Sequence, residues 1–163
     1  MAAEEQASGS PRERPRAFLR AGAVLAVVLA ADQLTKHTLA AGIAPGEEKK
    51  FLPGITLVHV RNTGVAFSLF SGGGTLVLLF TLLALALLSA YFALRPACPL
   101  LWLPTGMLIG GAIGNLIDRL AHGAVTDFIK LPLWPAFNVA DMSITFGVLA
   151  LLYVLEGRRS DGH

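Results

Sequence analysis

The chain has 163 residues, of which 54% are hydrophobic and only 15% are charged, and its mean hydropathy is +0.63. This composition excludes an ordinary soluble domain and favours a protein whose solvent is a lipid bilayer. The formal net charge of +2, without a continuous basic run, gives no indication of a nucleic-acid partner. The single cysteine, Cys98, cannot form an internal disulfide, and no Cys/His spacing indicates a metal site, so we expect no cofactor.

The N-terminal part of the chain combines a polar tail with a first apolar stretch. Residues 1–16 are rich in Ala, Glu, Ser, Pro and Arg without apolar periodicity, which predicts a disordered tail. Residues 18–40 begin at a basic flank and fit either a cleavable signal peptide or a transmembrane helix. Because similar apolar stretches recur three times downstream, we favour a helix that stays attached.

Three further apolar stretches are each long enough to cross a hydrocarbon core of about 30 Å. They occupy residues 75–94, about 100–117 and about 139–155. In the second of these three, glycines recur every four residues, which permits close approach of a neighbouring helix: Gly106, Gly110 and Gly114. We therefore predict one four-span membrane domain over residues 17–157, followed by a C-terminal tail of residues 158–163.

The connection between the first two spans is β-prone. Residues 51–60 and 64–70 contain β-branched and aromatic residues interrupted by Gly, Pro and Asn. We predict an all-α polytopic membrane protein with four transmembrane helices and a small extramembrane β-rich cradle between helices 1 and 2. Arginines concentrate at both chain ends and between spans two and three, which places both termini in the cytoplasm. The loops of residues 39–74 and 121–137 then lie outside.

The polar residues of the predicted spans gather at one face. An ionisable group at mid-helix costs about 2.5–3.5 kcal/mol, so its placement requires a reason. In the predicted topology the following residues all lie near the outer interface: Asp32, Lys36, Asn62, Asn115, Asp118, Arg119, Asp127, Asn138 and Asp141. Three spans and two loops therefore converge on one polar layer.

Ordinary structural roles explain part of this layer. Asp32 and Lys36, spaced i and i+4, fit an intrahelical ion pair as well as they fit a functional site. Asn138 fits a helix N-cap, with Asp141 three residues later in a capping-box position. Capping explains neither Asp118 nor Asp127, and the carboxylate of Asp118 opposes the dipole of the third helix unless a cation such as Arg119 or Lys36 compensates. An excess of carboxylates remains.

This excess indicates a chemical function. Two carboxylates close together in a poorly solvated layer share a proton as an acid and base pair. Such a pair hydrolyses a peptide bond, because one carboxylate activates water while the other protonates the carbonyl oxygen. No serine has a histidine at a suggestive spacing, which disfavours serine catalysis. A small transporter predicts polar groups at several depths, and a non-catalytic assembly factor leaves the carboxylates unused.

Five blocks of sequence follow one another along the chain. They are DQLTK at 32–36, RNTGVAFS at 61–68, GGAIGNLIDR at 110–119, VTDFI at 125–129 and FNVADMSITFG at 137–147. Together they resemble the lipoprotein signal peptidase family, also called signal peptidase II. The resemblance implies a multi-pass aspartic endopeptidase of the bacterial inner membrane. Its substrates would be diacylglyceryl-modified prolipoproteins, which lose the signal peptide just before the lipidated cysteine.

The resemblance also assigns residues. It implies that Asp127 and Asp141 are the catalytic pair, a choice that spacing alone leaves open against Asp118. It implies substrate-binding or site-supporting roles for Asp32, Lys36, Asn62, Gly64, Asn115, Asp118, Arg119, Asn138 and Ala140. We expect a monomer in contact with membrane lipid, with its active site near the periplasmic face.

Two finer expectations concern the pair and its surroundings. Asp141 lies near the positive end of the fourth helix and should ionise first, which leaves Asp127 as the proton carrier. Residues 51–67 should cradle the substrate, and the glycines at 72–74 are candidates for a hinge where the loop rejoins span two.

Overall fold

The computed structural model describes residues 13–63, 73–96 and 98–160, with side chains for all of these except residues 73–78 and 158–160. Within these ranges the chain forms four long helices and one three-stranded sheet. In chain order they are α1 (Glu13–Gly42), β1 (Glu48–Leu52), β2 (Ile55–Asn62), α2 (Gly73–Leu94), α3 (Trp102–His122), β3 (Val125–Lys130) and α4 (Val139–Ser160). The helices coincide with the four predicted apolar stretches.

Two helices of the described ranges are long and apolar enough to cross a membrane. They are α1 and the portion Val139–Gly157 of α4. The apolar segment of α2 is shorter and covers Leu79–Leu94. Length and composition therefore fit a membrane protein, and the number of four spans stays a prediction.

Both predicted tail boundaries require correction. Helix α1 begins at Glu13, so residues 13–16 of the predicted disordered tail are helical, and residues 1–12 lie outside the described ranges. Glu13 is favourable in the first turn because it faces the positive end of the helix dipole. Pro15 is tolerated there because the first N–H groups of a helix have no intrahelical partner. Helix α4 likewise continues to Ser160, into the predicted tail of residues 158–163.

Helix α3 packs closely against α1 and α4 through its glycines. A Cβ atom at Gly106 would lie 2.6 Å from the backbone oxygen of Ala21 in α1, and one at Gly111 would lie 2.6 Å from the backbone oxygen of Ala140 in α4. These separations are too short for any side chain, so the glycines let the helix backbones meet. The predicted packing role is confirmed for Gly106 and for Gly110, at which a Cβ atom would lie 2.9 Å from the backbone oxygen of Leu25, whereas a Cβ atom at Gly114 would meet the carboxylate of Asp32.

The sheet contains a strand that the sequence analysis missed. Strands β1 and β2 form an antiparallel hairpin between α1 and α2, as predicted, but β3 comes from the connection between α3 and α4 and pairs antiparallel with β2. The fold class is therefore mostly helical with a three-stranded sheet, and the cradle is not confined to the loop between helices 1 and 2. The predicted β-prone segment of residues 64–70 lies outside the described ranges.

The interior has an apolar end and a polar end. The apolar cluster joins the start of α1, the end of α2, the start of α3 and the end of α4 through Ala17, Ala21, Phe92, Cys98, Leu101 and Val154. The buried charged and amide side chains lie where α1 and α3 end and α4 begins: Asp32, Lys36, Asn115, Asp118, Asp127 and Asn138. This arrangement confirms that the polar residues gather in one layer, whereas its orientation in the bilayer stays a prediction.

Substituting Gly106 tests the close packing of α3 on α1. We expect Gly106→Ala to lower the free energy of unfolding by about 1–3 kcal/mol, because the new methyl group must displace backbone atoms of α1. The measurement is thermal unfolding of the purified protein in detergent. Gly22→Ala is the matched control, because a Cβ atom at Gly22 has no neighbour within 4 Å and alanine is the better helix former. Equal melting temperatures for the two variants would contradict the packing assignment.

Candidate active site

Asp127 lies in the middle of β3 with its carboxylate almost fully buried. Its side chain is only 1% exposed. Asn62, at the end of the neighbouring strand β2, donates a hydrogen bond from Nδ2 to Oδ2 of Asp127 at 2.9 Å. Asn138 donates from Nδ2 to Oδ1 at 2.7 Å. Each carboxylate oxygen therefore has an amide donor, one from the sheet and one from the start of α4.

Asp141 occupies the first turn of α4, where Asn138 caps the helix. The backbone N–H of Asp141 donates to Oδ1 of Asn138 at 2.9 Å, and the backbone N–H of Asn138 donates to Oδ2 of Asp141 at 3.3 Å. This reciprocal pair is a capping box, as the sequence predicted. Asn115 of α3 donates from Nδ2 to Oδ1 of Asp141 at 2.8 Å. Asp141 is thereby held as a hydrogen-bond acceptor beside the positive end of α4.

Asn138 connects the carboxylate of Asp127 to the backbone of Asp141. Its buried side chain donates to Asp127 through the amide nitrogen and accepts from the backbone of Asp141 through the amide oxygen. An amide offers both functions within one rigid plane, so this one residue sets the position of Asp127 relative to the start of α4. The structure thus brings together the two residues that the resemblance named as catalytic.

The environment of Asp127 favours its protonated form. Burial raises the pKa of this carboxyl, the nearby charge of Asp141 adds to the rise, and the resulting pKa is about 6 instead of 3.8. The hydrogen bonds from Asn62 and Asn138 and the charge of Lys36 oppose this rise in the pKa without cancelling it. Asp127 therefore holds a proton at a pH where an ordinary aspartic acid has lost it, as its predicted role as proton carrier requires.

A buried ion cluster adjoins the two elements that carry Asp127 and Asp141. The ammonium group of Lys36 lies 2.8 Å from Oδ2 of Asp32 and 3.2 Å from Oδ2 of Asp118, and all three side chains are at least 94% buried. The intrahelical pair of Asp32 and Lys36 therefore exists, but it extends to a second helix. Lys36 is also the cation that compensates Asp118 at the end of α3.

The cluster holds the elements that carry the two candidate catalytic residues. Asp118 accepts the backbone N–H of Thr126, next to Asp127, at 2.9 Å. Asp32 accepts the backbone N–H of Ala140, next to Asp141, at 2.9 Å. Asp118 thus binds the backbone of β3, and Asp32 binds the backbone of α4. The position of the ion cluster therefore fixes the positions of Asp127 and Asp141.

Two amide side chains complete the polar layer. Asn115 accepts from the ammonium group of Lys36 at 2.9 Å while donating to Asp141, and so connects the ion cluster to the pair. Gln33 donates to the backbone oxygen of Gly114 at 3.2 Å and to Oδ1 of Asp118 at 3.3 Å. Sequence reasoning did not single out Gln33; the available signal was its place within the DQLTK block, directly after a buried acid.

A groove of about 510 Å³ between α2, α3 and α4 leads to Asp141. Its polar end is formed by Asn115, Arg119 and Asp141, and the guanidinium group of Arg119 donates to the backbone oxygen of Asn115 at 3.4 Å. The remaining lining comes mainly from aliphatic side chains such as Leu85, Leu108, Ile144, Val148 and Leu151. The groove can therefore accept an elongated apolar group whose polar end reaches Asp141.

Two of the predicted site features cannot be placed. Gly64 and the first of the candidate hinge glycines, Gly72, lie outside the described residues. Ala140 is fully buried, and its contribution is the backbone N–H that Asp32 accepts.

Comparisons with known proteins agree on one family. A sequence profile described as Signal peptidase (SPase) II matches residues 24–156. The protein named Lipoprotein signal peptidase from Moorella thermoacetica is 43% identical over 79% of this chain and 87% of its own. The protein of the same name from Syntrophomonas wolfei is 40% identical over 86% of this chain and 95% of its own.

Two solved structures have a similar fold. Both are described as a bacterial membrane enzyme determined by the in meso method. One, at 1.9 Å resolution, has a TM-score of 0.75 and 32% identity over 83% of this chain and 91% of its own. The other, at 2.3 Å resolution, has a TM-score of 0.77 and 30% identity over 88% of this chain and 91% of its own.

Removing the buried cation tests the ion cluster. We expect Lys36→Met to lower the free energy of unfolding by about 3–5 kcal/mol, because two buried carboxylates lose their compensating charge. Lys130→Met is the matched control, since Lys130 forms an exposed ion pair with Glu48 and should cost about 0–1 kcal/mol. Denaturation of both variants in detergent measures the difference. A loss for Lys36→Met no larger than for the control would show that the cluster does not hold the fold.

Proposed function

The chain belongs to the signal peptidase II family, and on that premise we propose that it is an aspartic endopeptidase in which Asp127 and Asp141 form the catalytic dyad. Its substrates are diacylglyceryl-modified prolipoproteins, and it cleaves them just before the lipidated cysteine. The observation that supports this proposal most directly is the buried side chain of Asn138, which donates to the carboxylate of Asp127 and accepts the backbone N–H of Asp141. Capping of α4 alone would require no contact with Asp127.

The two carboxylates have different tasks in the proposed reaction. Asp141, ionised at the start of α4, removes a proton from a water molecule that attacks the scissile carbonyl carbon. Asp127, protonated, gives its proton to the carbonyl oxygen as the tetrahedral intermediate forms. When the intermediate collapses, the C–N bond breaks, the leaving nitrogen takes the proton from Asp141, and the intermediate's hydroxyl returns a proton to Asp127. The raised pKa of Asp127 and the donors around Asp141 support this division.

The apolar groove is the proposed route for the substrate. Its aliphatic lining suits a signal-peptide helix or acyl chains that enter from the bilayer, and its polar end brings the scissile bond to Asp141. Arg119, at the same end, is placed to donate to carbonyl oxygens of the substrate. The strands β1 and β2 would cover the substrate from outside, together with the predicted remainder of the cradle up to residue 67.

The proposed setting is the bacterial inner membrane. The protein acts as a monomer with four spans and both termini in the cytoplasm, which places the dyad near the periplasmic face. This topology rests on the distribution of arginines, and it puts the polar layer where water reaches the dyad from outside.

Removing either carboxyl group tests the dyad. We expect Asp127→Asn and Asp141→Asn each to lower the cleavage rate by about 10²–10⁴-fold or more, because neither amide can exchange the required proton. The measurement is release of the signal peptide from a diacylglyceryl-modified prolipoprotein by the purified protein in detergent. Glu156→Gln, an exposed carboxyl near the end of α4, is the control and should keep full activity. Full turnover by either aspartate variant would refute the dyad.

The pH profile tests the role of Asp127 as the acid. Activity requires its protonated form, so activity falls as the pH rises through its pKa. The hydrogen bond from Asn62 lowers this pKa, and we expect Asn62→Ala to move the alkaline limb of the profile to higher pH by up to about one unit. Thr63→Ala, an exposed neighbour, should leave the limb unchanged. A shift to lower pH, or none, would contradict the assignment.

A further inference from the structure

One end of the sheet carries large apolar side chains that no described residue covers. Lys50 of β1 is aligned with Thr56 of β2, and Thr56 is aligned with Lys130 of β3. Beyond this row, β1 continues into Phe51 and Leu52, and the loop that follows β3 contains Leu133 and Trp134. We define the sheet tip as Lys49–Leu52 together with Lys130 and Leu133–Trp134. It lies at the end of the sheet opposite to Asn62.

The backbone conformation of the loop after β3 holds Leu133 and Trp134 in exposed positions. Leu133 is 105% exposed and Trp134 is 64% exposed. Their loop is held closed at its base, because Phe137 donates to and accepts from the backbone of Ile129 at 2.9 Å. Leu133 also has a φ of 61°, a left-handed conformation that a leucine rarely adopts. A fully exposed apolar side chain on a strained backbone indicates that the residue is presented to a partner.

The sheet tip is connected to the level at which α1 ends. The ammonium group of Lys49 donates to the backbone oxygen of Gly42, the last residue of α1, at 2.5 Å. His59 of β2 contacts the backbone oxygen of Ile43 at 2.9 Å. The sheet is therefore fastened to the point where the first apolar helix leaves the hydrocarbon, and it does not stand away from the membrane surface.

The charges of the sheet tip indicate which kind of surface it contacts. Lys49, Lys50 and Lys130 are exposed, and Glu48 pairs with Lys130 at 2.6 Å, which leaves an excess of two positive charges. Tryptophan favours the headgroup level of a bilayer, and lysines beside it attract anionic lipids. A lipid surface accounts for both features of the sheet tip, because it accepts the apolar side chains and attracts the lysines beside them.

We propose that the sheet tip inserts into the interfacial region of the outer leaflet and prefers anionic lipid headgroups. Phe51, Leu52, Leu133 and Trp134 enter the boundary between headgroups and acyl chains, while the lysines contact the lipid phosphates. This contact sets the height of β3, and therefore of Asp127, relative to the bilayer. The proposal depends on membrane residence and is independent of the proteolytic activity.

The fluorescence of Trp134 tests the insertion. The chain contains two tryptophans, so the full-length Trp102→Phe variant leaves Trp134 as the only reporter. In nanodiscs of phosphatidylglycerol and phosphatidylcholine, we expect phosphatidylcholine brominated near the headgroup to quench more than about half of its emission. Aqueous iodide should quench it weakly. Strong quenching by iodide, at the level of free N-acetyltryptophanamide and without bromine quenching, would overturn the proposal.

Controls separate lipid from other occupants. Leu83→Trp in a chain lacking both native tryptophans reports from an exposed position of α2 and should be quenched by deeply brominated lipid. If Trp134 is shielded from iodide only after a prolipoprotein is added, the sheet tip binds substrate. If it is shielded only when a disc holds two copies of the protein, the sheet tip mediates self-association. Either result would overturn the proposal.

The lysines are tested by lipid composition. We expect the double variant Lys49→Gln/Lys50→Gln to reduce bromine quenching in discs containing phosphatidylglycerol to the level found in discs of phosphatidylcholine alone, where the variant and the wild type should be quenched equally. An equal effect in both discs would refute the preference for anionic lipid. An unchanged melting temperature shows that the variant is folded.

Discussion

The polar layer of this protein depends on a single buried ammonium group. Lys36 lies between Asp32 and Asp118 with almost no access to water, so each of the three charges is tolerable only while the other two are in place. The carboxylates of Asp32 and Asp118 also accept backbone N–H groups beside Asp141 and Asp127. The charge balance of the cluster therefore also fixes the positions of Asp127 and Asp141. The cluster cannot rearrange without moving β3 or α4.

This constraint explains how the carboxyl groups of Asp127 and Asp141 are held near each other at the start of α4 despite the repulsion between two negative charges. Asp141 has its donors from Asn115 and from the capping box, whereas Asp127 is buried on the strand with two amide donors. The environments differ, so the cost of placing both acids together is met by protonating one of them. Asn138 holds the carboxylate of Asp127 beside the start of α4. The proposed dyad is thus asymmetric before any substrate arrives.

The sequence predicted the parts of the fold that depend on local pattern. Apolar length predicted the helices, and the N-x-x-D spacing predicted the capping box at Asn138. It left open whether Arg119 or Lys36 compensates Asp118, because an i,i+4 spacing reports only on one helix, and the structure assigns this role to Lys36. Strand β3 was missed because its six residues lie in a short connection between two apolar stretches and become a strand by pairing with β2, which is distant in sequence. Gln33 was missed because its partners come from a different helix.

The central claim is that Asp127 holds the proton of an asymmetric pair. It is tested most directly by the carbonyl stretching band of a protonated carboxylic acid, followed against pH by infrared difference spectroscopy of the protein in bilayers. We predict a band that disappears as the pH rises, with an apparent pKa of about 6, and that is absent from Asp127→Asn. In Asp141→Asn the band should disappear at lower pH, because the neighbouring negative charge is gone. A band that persists in Asp127→Asn, or a titration that Asp141→Asn leaves unchanged, would contradict the account.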